Sequence, residues 1–260
     1  MKKKVLLKGP LLTRSGYGEQ ARFALRALRS REDVCEIFLQ PITWGACSWL
    51  SSQDEERKWI DQTIEKTIAF IQQGGQFDMS LQVTIPNEWQ RLAPINIGYT
   101  AGIETSKVAP VWLQKGNEMD KILVVSNHAR NTYIDTTAQA QNQKTGEVVD
   151  YKLERPVEVV WETTPRAEPQ EIAAFQPTND FNFLMVSQFS PRKNFVNALR
   201  WWVEEFFDKD VGLIVKTNMA NNSKIDLSNT ELTLQNILQK YPDRKCKVHL
   251  LHGDLSDGQM

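Results

Sequence analysis

Short apolar runs alternate with amphipathic stretches along most of the chain. Residues 4–8 predict a buried strand. From Gly18 onward Ala21, Ala24, Leu25 and Leu28 recur at helical spacing, which places Arg22, Arg26 and Arg29 on the outer face. "VCEIFLQP" predicts a second strand. Residues 54–73 predict a helix with Ile60, Ile64, Ile68 and Ile71 along one face. "FDMSLQV", "INIGYT" and "KILVVS" predict further strands, with helices around 110–118 and 127–137, and "VEVVW" a sixth strand. Strands that alternate with helices imply a parallel sheet covered on both faces.

Residues 138–155 are polar and carry a Thr-Gly turn, the pattern of a surface insertion such as a hairpin. Residues 162–180 hold three prolines and little periodicity, the pattern of a linker. The alternation then restarts. "FNFLMVS" predicts a strand, residues 192–207 a helix burying Phe195, Leu199, Trp202 and Phe206, and "VGLIVKT" a strand. A helix over 231–241 and the strand "KCKVHLLHG" follow. The expected organisation is α/β, with two Rossmann-like doubly wound domains: 1–165, a linker over 166–180, and 181–260. Such domains hold five or six strands. Three strands and two helices make the second domain incomplete, with "DLSDGQM" leading toward a further helix.

Composition narrows the class. The 260 residues are 41% hydrophobic and 24% charged, with a net charge of −1, so nothing points to nucleic acid. "MKKKVLLKGPLL" has the look of a secretory leader, but Lys8, Gly9 and Pro10 break its apolar run early. No stretch approaches the ~18 apolar residues of a membrane span. Cys35, Cys47 and Cys246 are an odd set without paired spacing, which implies reduced thiols and a cytoplasmic setting. Most of the eight tryptophans are expected in cores, whereas Trp44, Trp49 and Trp89 sit in loop-like sequence.

Two segments carry candidate chemistry. Gly16, Gly18 and Ala21 satisfy the letter of G-x-G-x-x-G/A. The intervening "PLLTRS", and Gln40-Pro41 where an acidic ribose partner belongs, argue against a nicotinamide or flavin site. Two readings remain: a flexible strand-to-helix turn, or a phosphate cradle in which glycines admit the ligand and helix-start amides attract it. In "MVSQFSPRKNFVNAL", Arg192 and Lys193 lie between a strand end and a helix start. There two cations and a helix terminus suit a diphosphate, and the plainer reading is a solvated basic turn. The "DKD" at Asp208–Asp210 falls at the opposite sheet edge and reads as a solvated turn. His249 and His252 point to opposite faces and make poor joint metal ligands, and His128 follows a strand end. Zinc spacing, a Walker loop and a serine elbow are absent from the sequence.

With these segments in place, the chain resembles a GT-B glycosyltransferase of the retaining, family-four type, the group of glycogen synthase and sucrose synthase. The resemblance rests on the "GYG" loop after the first strand and on "FLMVSQFSPRKN" opening the second domain. It extends to "IGYTAGIETSKVAPVWLQKGNEMDKILVVSNHARNTY", "PVEVVWETTP…AAFQP" and "VHLLHGDLSDGQM". It implies a nucleotide-diphosphate sugar as donor substrate, held between the domains, with no other cofactor and no metal. The implied donor-binding set is Gly16, Tyr17, Gly18, Arg192, Lys193 and Thr217, and the implied catalytic residues are Glu104 and Lys193. Arg192, Lys193 and helix-start amides would stabilise the leaving diphosphate, and the acceptor would attack on the face that the diphosphate leaves. Glu104 would stand near acceptor or donor sugar, although "ETS" before a helix is also ordinary capping sequence. The chain departs from the family's G-R-L-x-x-x-K-G at Ser187, Gln188 and Asn194. It carries Glu104 where many relatives have a histidine region, and reads "WETT" for N-G-V-D. The family's E-x7-E segment would fall beyond residue 260. The implied acceptor is a glycan, lipid or protein, and the incomplete second domain is expected to self-associate. The alternatives are a non-catalytic nucleotide- or glycan-binding module and, more distantly, a nicotinamide-dependent enzyme.

Overall fold

A computed structural model describes residues 2–141, 146–164 and 167–260. Thr145 of the anticipated turn, and Pro165 and Arg166 at the anticipated linker, lie outside the described residues. The chain forms two compact units, residues 1–45 with 49–163, and residues 46–48 with 164–260.

The first unit runs β1 (Lys3–Gly9), α1 (Gly16–Arg29), β2 (Cys35–Pro41), α2 (Glu55–Gln72), β3 (Met79–Val83) and β4 (Ile95–Thr100). It continues with α3 (Pro110–Asn117), β5 (Lys121–Val124), α4 (Asn127–Asp135), β6 (Ala138–Gln141), β7 (Val148–Tyr151) and β8 (Val157–Val159). Six strands form one parallel sheet in the order β2-β1-β3-β4-β5-β8. The order reverses at β1, so right-handed crossovers send α1 and α2 to opposite faces. Side-chain alternation follows: Ile37 and Leu39 share a core with Ala21 and Leu25 of α1, joined by Ile60 from the start of α2, whereas Phe38 between them meets Phe70 near the end of α2. The insertion is an antiparallel hairpin, β6 with β7.

Helix starts follow from local chemistry. The Ser15 hydroxyl accepts the Gly18 N–H at the start of α1, and the Asp54 carboxylate accepts the Arg57 N–H at the start of α2. Arg22 departs from the expected outer face. It is buried, donates to the carbonyls of Leu11 and Thr13, and pairs with Glu19. The turn after β1 buries those carbonyls, and the fork-shaped guanidinium nearly two helical turns in satisfies both.

The isoleucine face expected on α2 is covered at its N-terminal end only. Ile60 is buried, but Ile68 and Ile71 are 52% and 53% exposed. The cause is the β3–β4 connection, which holds only a 3-10 turn at Pro86–Glu88 where the other sheet crossovers carry a helix. Residues 84–94 cover the strands instead, held by buried side chains of β3 and β4. Asn96 Oδ1 accepts from the backbone of Leu92 and Ala93 and from Ser80, and Gln82 exchanges bonds with the Gln90 backbone. Trp89, placed in loop-like sequence, is fully buried over Gly98, where a Cβ would come within 2.5 Å of its ring.

The second unit runs β9 (Asn182–Val186), a 3-10 turn (Pro191–Lys193), α5 (Phe195–Glu205), β10 (Gly212–Lys216), α6 (Lys224–Leu238) and β11 (Lys247–Leu251). Its strands are parallel in the order β11-β10-β9. Without a reversal both helices fall on one face. Phe195 and Leu199 of α5 and Leu234 of α6 share one core with Leu213 and Val215, while Leu184 and Val186 stay exposed on the other face. Helix α6 starts earlier than the expected 231 because Ser223 caps it, accepting from Asp226 N–H, ahead of any clear apolar periodicity. Among the described residues no helix is long and apolar enough to cross a membrane.

Candidate functional site

In the first unit the candidate groups gather where β1 and β4 end. The two glycines are not equivalent. A Cβ on Gly18 would lie 2.1 Å from the Thr13 carbonyl oxygen, and the Gly18 N–H is taken by Ser15 Oγ at 3.0 Å. Close packing of the turn on α1 therefore demands glycine there. Around Gly16 a Cβ would meet nothing within 4 Å, and the residue is exposed at the first helical position. The amides of Gly16 and Tyr17 have no acceptor inside the helix, so they are the part of this loop able to meet an anion.

Tyr17 turns inward. Its hydroxyl lies 2.8 Å from Thr100 Oγ1, accepts the Ala101 N–H at 3.1 Å, and its ring sits 4.4 Å from that of Trp44. Burial raises the phenol pKa, against the pull of those hydrogen bonds, so the phenol keeps its proton. Tyr17 thus ties the start of α1 to the loop after β4, three residues ahead of Glu104. Glu104 is exposed in that loop. Helix α3 starts after Ala109, which makes no side-chain cap. Lys8, which interrupts the N-terminal apolar run and carried no functional expectation, is buried and donates to the Glu88 carbonyl at 2.9 Å. Burial lowers its pKa and Glu88 opposes the shift. His128 is exposed in the first turn of α4, which Ser126 caps.

In the second unit the 3-10 turn brings Arg192 and Lys193 to the surface at the C-terminal edge of the sheet. Asn194 follows with φ 51°, in the left-handed region, and opens α5 without any side-chain cap. Here the resembled family carries glycine, and the backbone adopts the conformation that glycine accepts most readily and asparagine tolerates. The departure at Asn194 therefore keeps the left-handed backbone of the turn. The segments after β9 and β10 are joined by Ser187 N–H to the Lys216 carbonyl and Phe189 N–H to the Asn218 carbonyl. Thr217 therefore stands at the same edge as the basic turn. Its side chain is 1% exposed, and Oγ1 finds no partner among the described residues.

Two residues of this edge carried no clear sequence signal. Asp226, in the first turn of α6, is buried and accepts from the backbone of Met219, Ala220 and Asn222 and from His252 Nε2 at 2.9 Å. It fixes the loop after β10, and His252, at the end of β11, completes the set. His249 goes elsewhere, to Asn179 Oδ1 at 3.2 Å, so the two histidines serve separate acceptors. Asp210 accepts from Asn179 at the start of β10, and Asp208 and Lys209 are exposed there, at the N-terminal edge.

No protein-family model matches the chain, and no curated protein matches it. Solved structures do. The chain is similar to a mutant O-GlcNAc transferase of Thermobaculum terrenum at 10% identity and a TM-score of 0.44, over 98% of this chain and 45% of that one. It is similar to the apo form of WaaB, a lipopolysaccharide outer core galactosyltransferase, at 10% identity and a TM-score of 0.44, over 95% of this chain and 68% of that one. The chain thus spans less than half the length of the first of these.

Proposed function

We propose that the chain serves retaining, metal-independent glycosyl transfer from a nucleotide-diphosphate sugar, within a GT-B architecture. The observation that carries this reading is the turn Arg192–Lys193–Asn194. It sets two cations and an uncapped helix start at the C-terminal sheet edge, on a left-handed residue where the resembled pattern has glycine. Both the cations and the positive end of α5 act on the same negative charge. In this reading Lys193 and the first amides of α5 receive charge as the anomeric C–O bond breaks and the diphosphate departs. Thr217 Oγ1, buried and without a partner among the described residues, offers the donor a hydrogen bond. Gly16 and Tyr17 supply further amides in the first unit, and Glu104 acts on the acceptor side. Attack on the face from which the diphosphate leaves retains the configuration without a covalent enzyme intermediate.

The test compares ligands and cations. UDP, GDP or ADP should raise the thermal midpoint of the chain, whereas NAD should not. A charge-assisted contact contributes ~1.5–3 kcal/mol, so Lys193→Ala should weaken diphosphate binding about tenfold or more. Lys209→Ala, at the other sheet edge, should leave it unchanged. Stabilisation by NAD alone, or equal losses from the two variants, overturns the reading. Diphosphate binding without donor hydrolysis or transfer would favour the non-catalytic module.

A further inference from the structure

The helix-free β3–β4 connection leaves space on the α2 face of the first sheet. Between α2 and residues 92–94 lies a groove of about 710 Å3. Leu6 and Phe77 line its base, Ile64, Ile68 and Ile71 form the α2 wall, and Leu92 stands opposite. We infer that this groove binds the alkyl chain of a monomeric amphiphile. The inference does not rest on the proposed glycosyl transfer, since every lining residue belongs to the first unit and lies outside the candidate site.

Polarity selects the occupant. None of the lining residues is charged. The Thr67 hydroxyl is already spent, donating to the Thr63 carbonyl and accepting the Leu39 N–H. The latter bond also removes a backbone donor from the outer edge of β2, where an extended peptide would otherwise add a strand. That leaves the amides of Gln40 and Gln76 as the polar side chains of the lining with capacity to spare. A peptide segment would bring an N–H and a C=O with every residue and find few partners, whereas an alkyl chain brings none. The volume falls within the ~300–1,000 Å3 of small-molecule pockets. The half-exposed Ile68 and Ile71 lie one turn apart on α2, so a chain laid along the groove covers both.

The full chain, labelled at isoleucine δ1-methyls, is titrated by NMR with hexanoate, octanoate and decanoate below micelle formation. Saturable shifts are expected at Ile64, Ile68 and Ile71, and none at Ile95, which is 50% exposed outside the groove. Affinity should rise about fourfold per added methylene until the groove is filled. Ile68→Lys replaces an exposed side chain, so the fold survives, and affinity should fall about tenfold or more. Ile95→Lys should change nothing. Shifts at Ile95 equal to those at Ile68, affinity independent of chain length, or binding to phosphatidylcholine vesicles without binding to the free carboxylates would each overturn the inference.

Discussion

Gly16 and Gly18 look alike in sequence and should respond oppositely to alanine. At Gly18 the added methyl would sit 2.1 Å from the Thr13 carbonyl oxygen, more than an ångström inside ordinary contact. That oxygen belongs to a rigid turn: it accepts from Arg22, and the Thr13 N–H and hydroxyl both bond the Pro10 carbonyl. Relieving the clash moves the turn and loosens a buried guanidinium. Overpacking costs ~1–3 kcal/mol, and weakening a hydrogen bond to a charged group adds ~1.5–3 kcal/mol at most, so Gly18→Ala should destabilise the first unit by about 3 kcal/mol. For a unit of this size the midpoint should fall by roughly 6–12 °C. At Gly16 the methyl meets nothing and φ is not left-handed, so lower unfolded-state entropy should stabilise by ~0.4–1 kcal/mol. The same methyl would stand where a phosphate approaches the Gly16 and Tyr17 amides, and should weaken UDP, GDP or ADP binding about tenfold. Scanning calorimetry and titration calorimetry on both variants read the two effects separately. An unchanged midpoint for Gly18→Ala would refute the close-approach argument. A stabilised Gly16→Ala with unchanged diphosphate binding would remove the start of α1 from the cradle.

Thr217→Val should stabilise the second unit by about 1 kcal/mol in denaturant unfolding, because it removes a buried hydroxyl that has no partner, yet weaken diphosphate binding; a loss of stability would show that Oγ1 is satisfied. Burial, then Lys247, holds the His249 pKa below its ordinary value near 6.5. Between the two values the unfolded chain binds more protons than the folded one. Stability is therefore full above about pH 6.5 and lost as pH falls through the depressed value. His249→Gln should flatten that slope, and an NMR titration placing the ring at or above 6.5 would refute the argument.

The sequence exposed most elements because each strand is a short apolar run and most helices carry a capping residue. Ser15, Asp54 and Ser126 stand directly before α1, α2 and α4. Helix α6 was misplaced because its start is set by polar residues: Ser223 caps the Asp226 N–H, and the Asp226 carboxylate has its partners before the helix and at the end of β11. Strand order was not legible at all. It depends on which way each crossover runs, and only the reversal at β1 distinguishes the first unit from the second, where both helices share a face. At the candidate sites the sequence located the segments and left open what each residue touches. Tyr17, between two glycines, reads as part of a flexible loop, yet its hydroxyl is committed to Thr100 and Ala101.

The exposure of the α2 isoleucines has a physical origin that also explains the groove. Alternation in β3 and β4 sets Ser80, Gln82 and Asn96 among apolar neighbours, the pattern of a sheet with one wet face. All three are buried. They are polar because what covers them is backbone: an eleven-residue connection has N–H and C=O groups of its own to satisfy, as a helix would not. Placing the acceptors on the strands lets irregular chain pack where a crossover helix normally lies. That chain is thinner than a helix with its side chains, so it cannot extend to α2. The isoleucines that would have met a neighbouring helix are left facing the gap, and an amphipathic pattern that normally means burial here becomes the wall of a cavity.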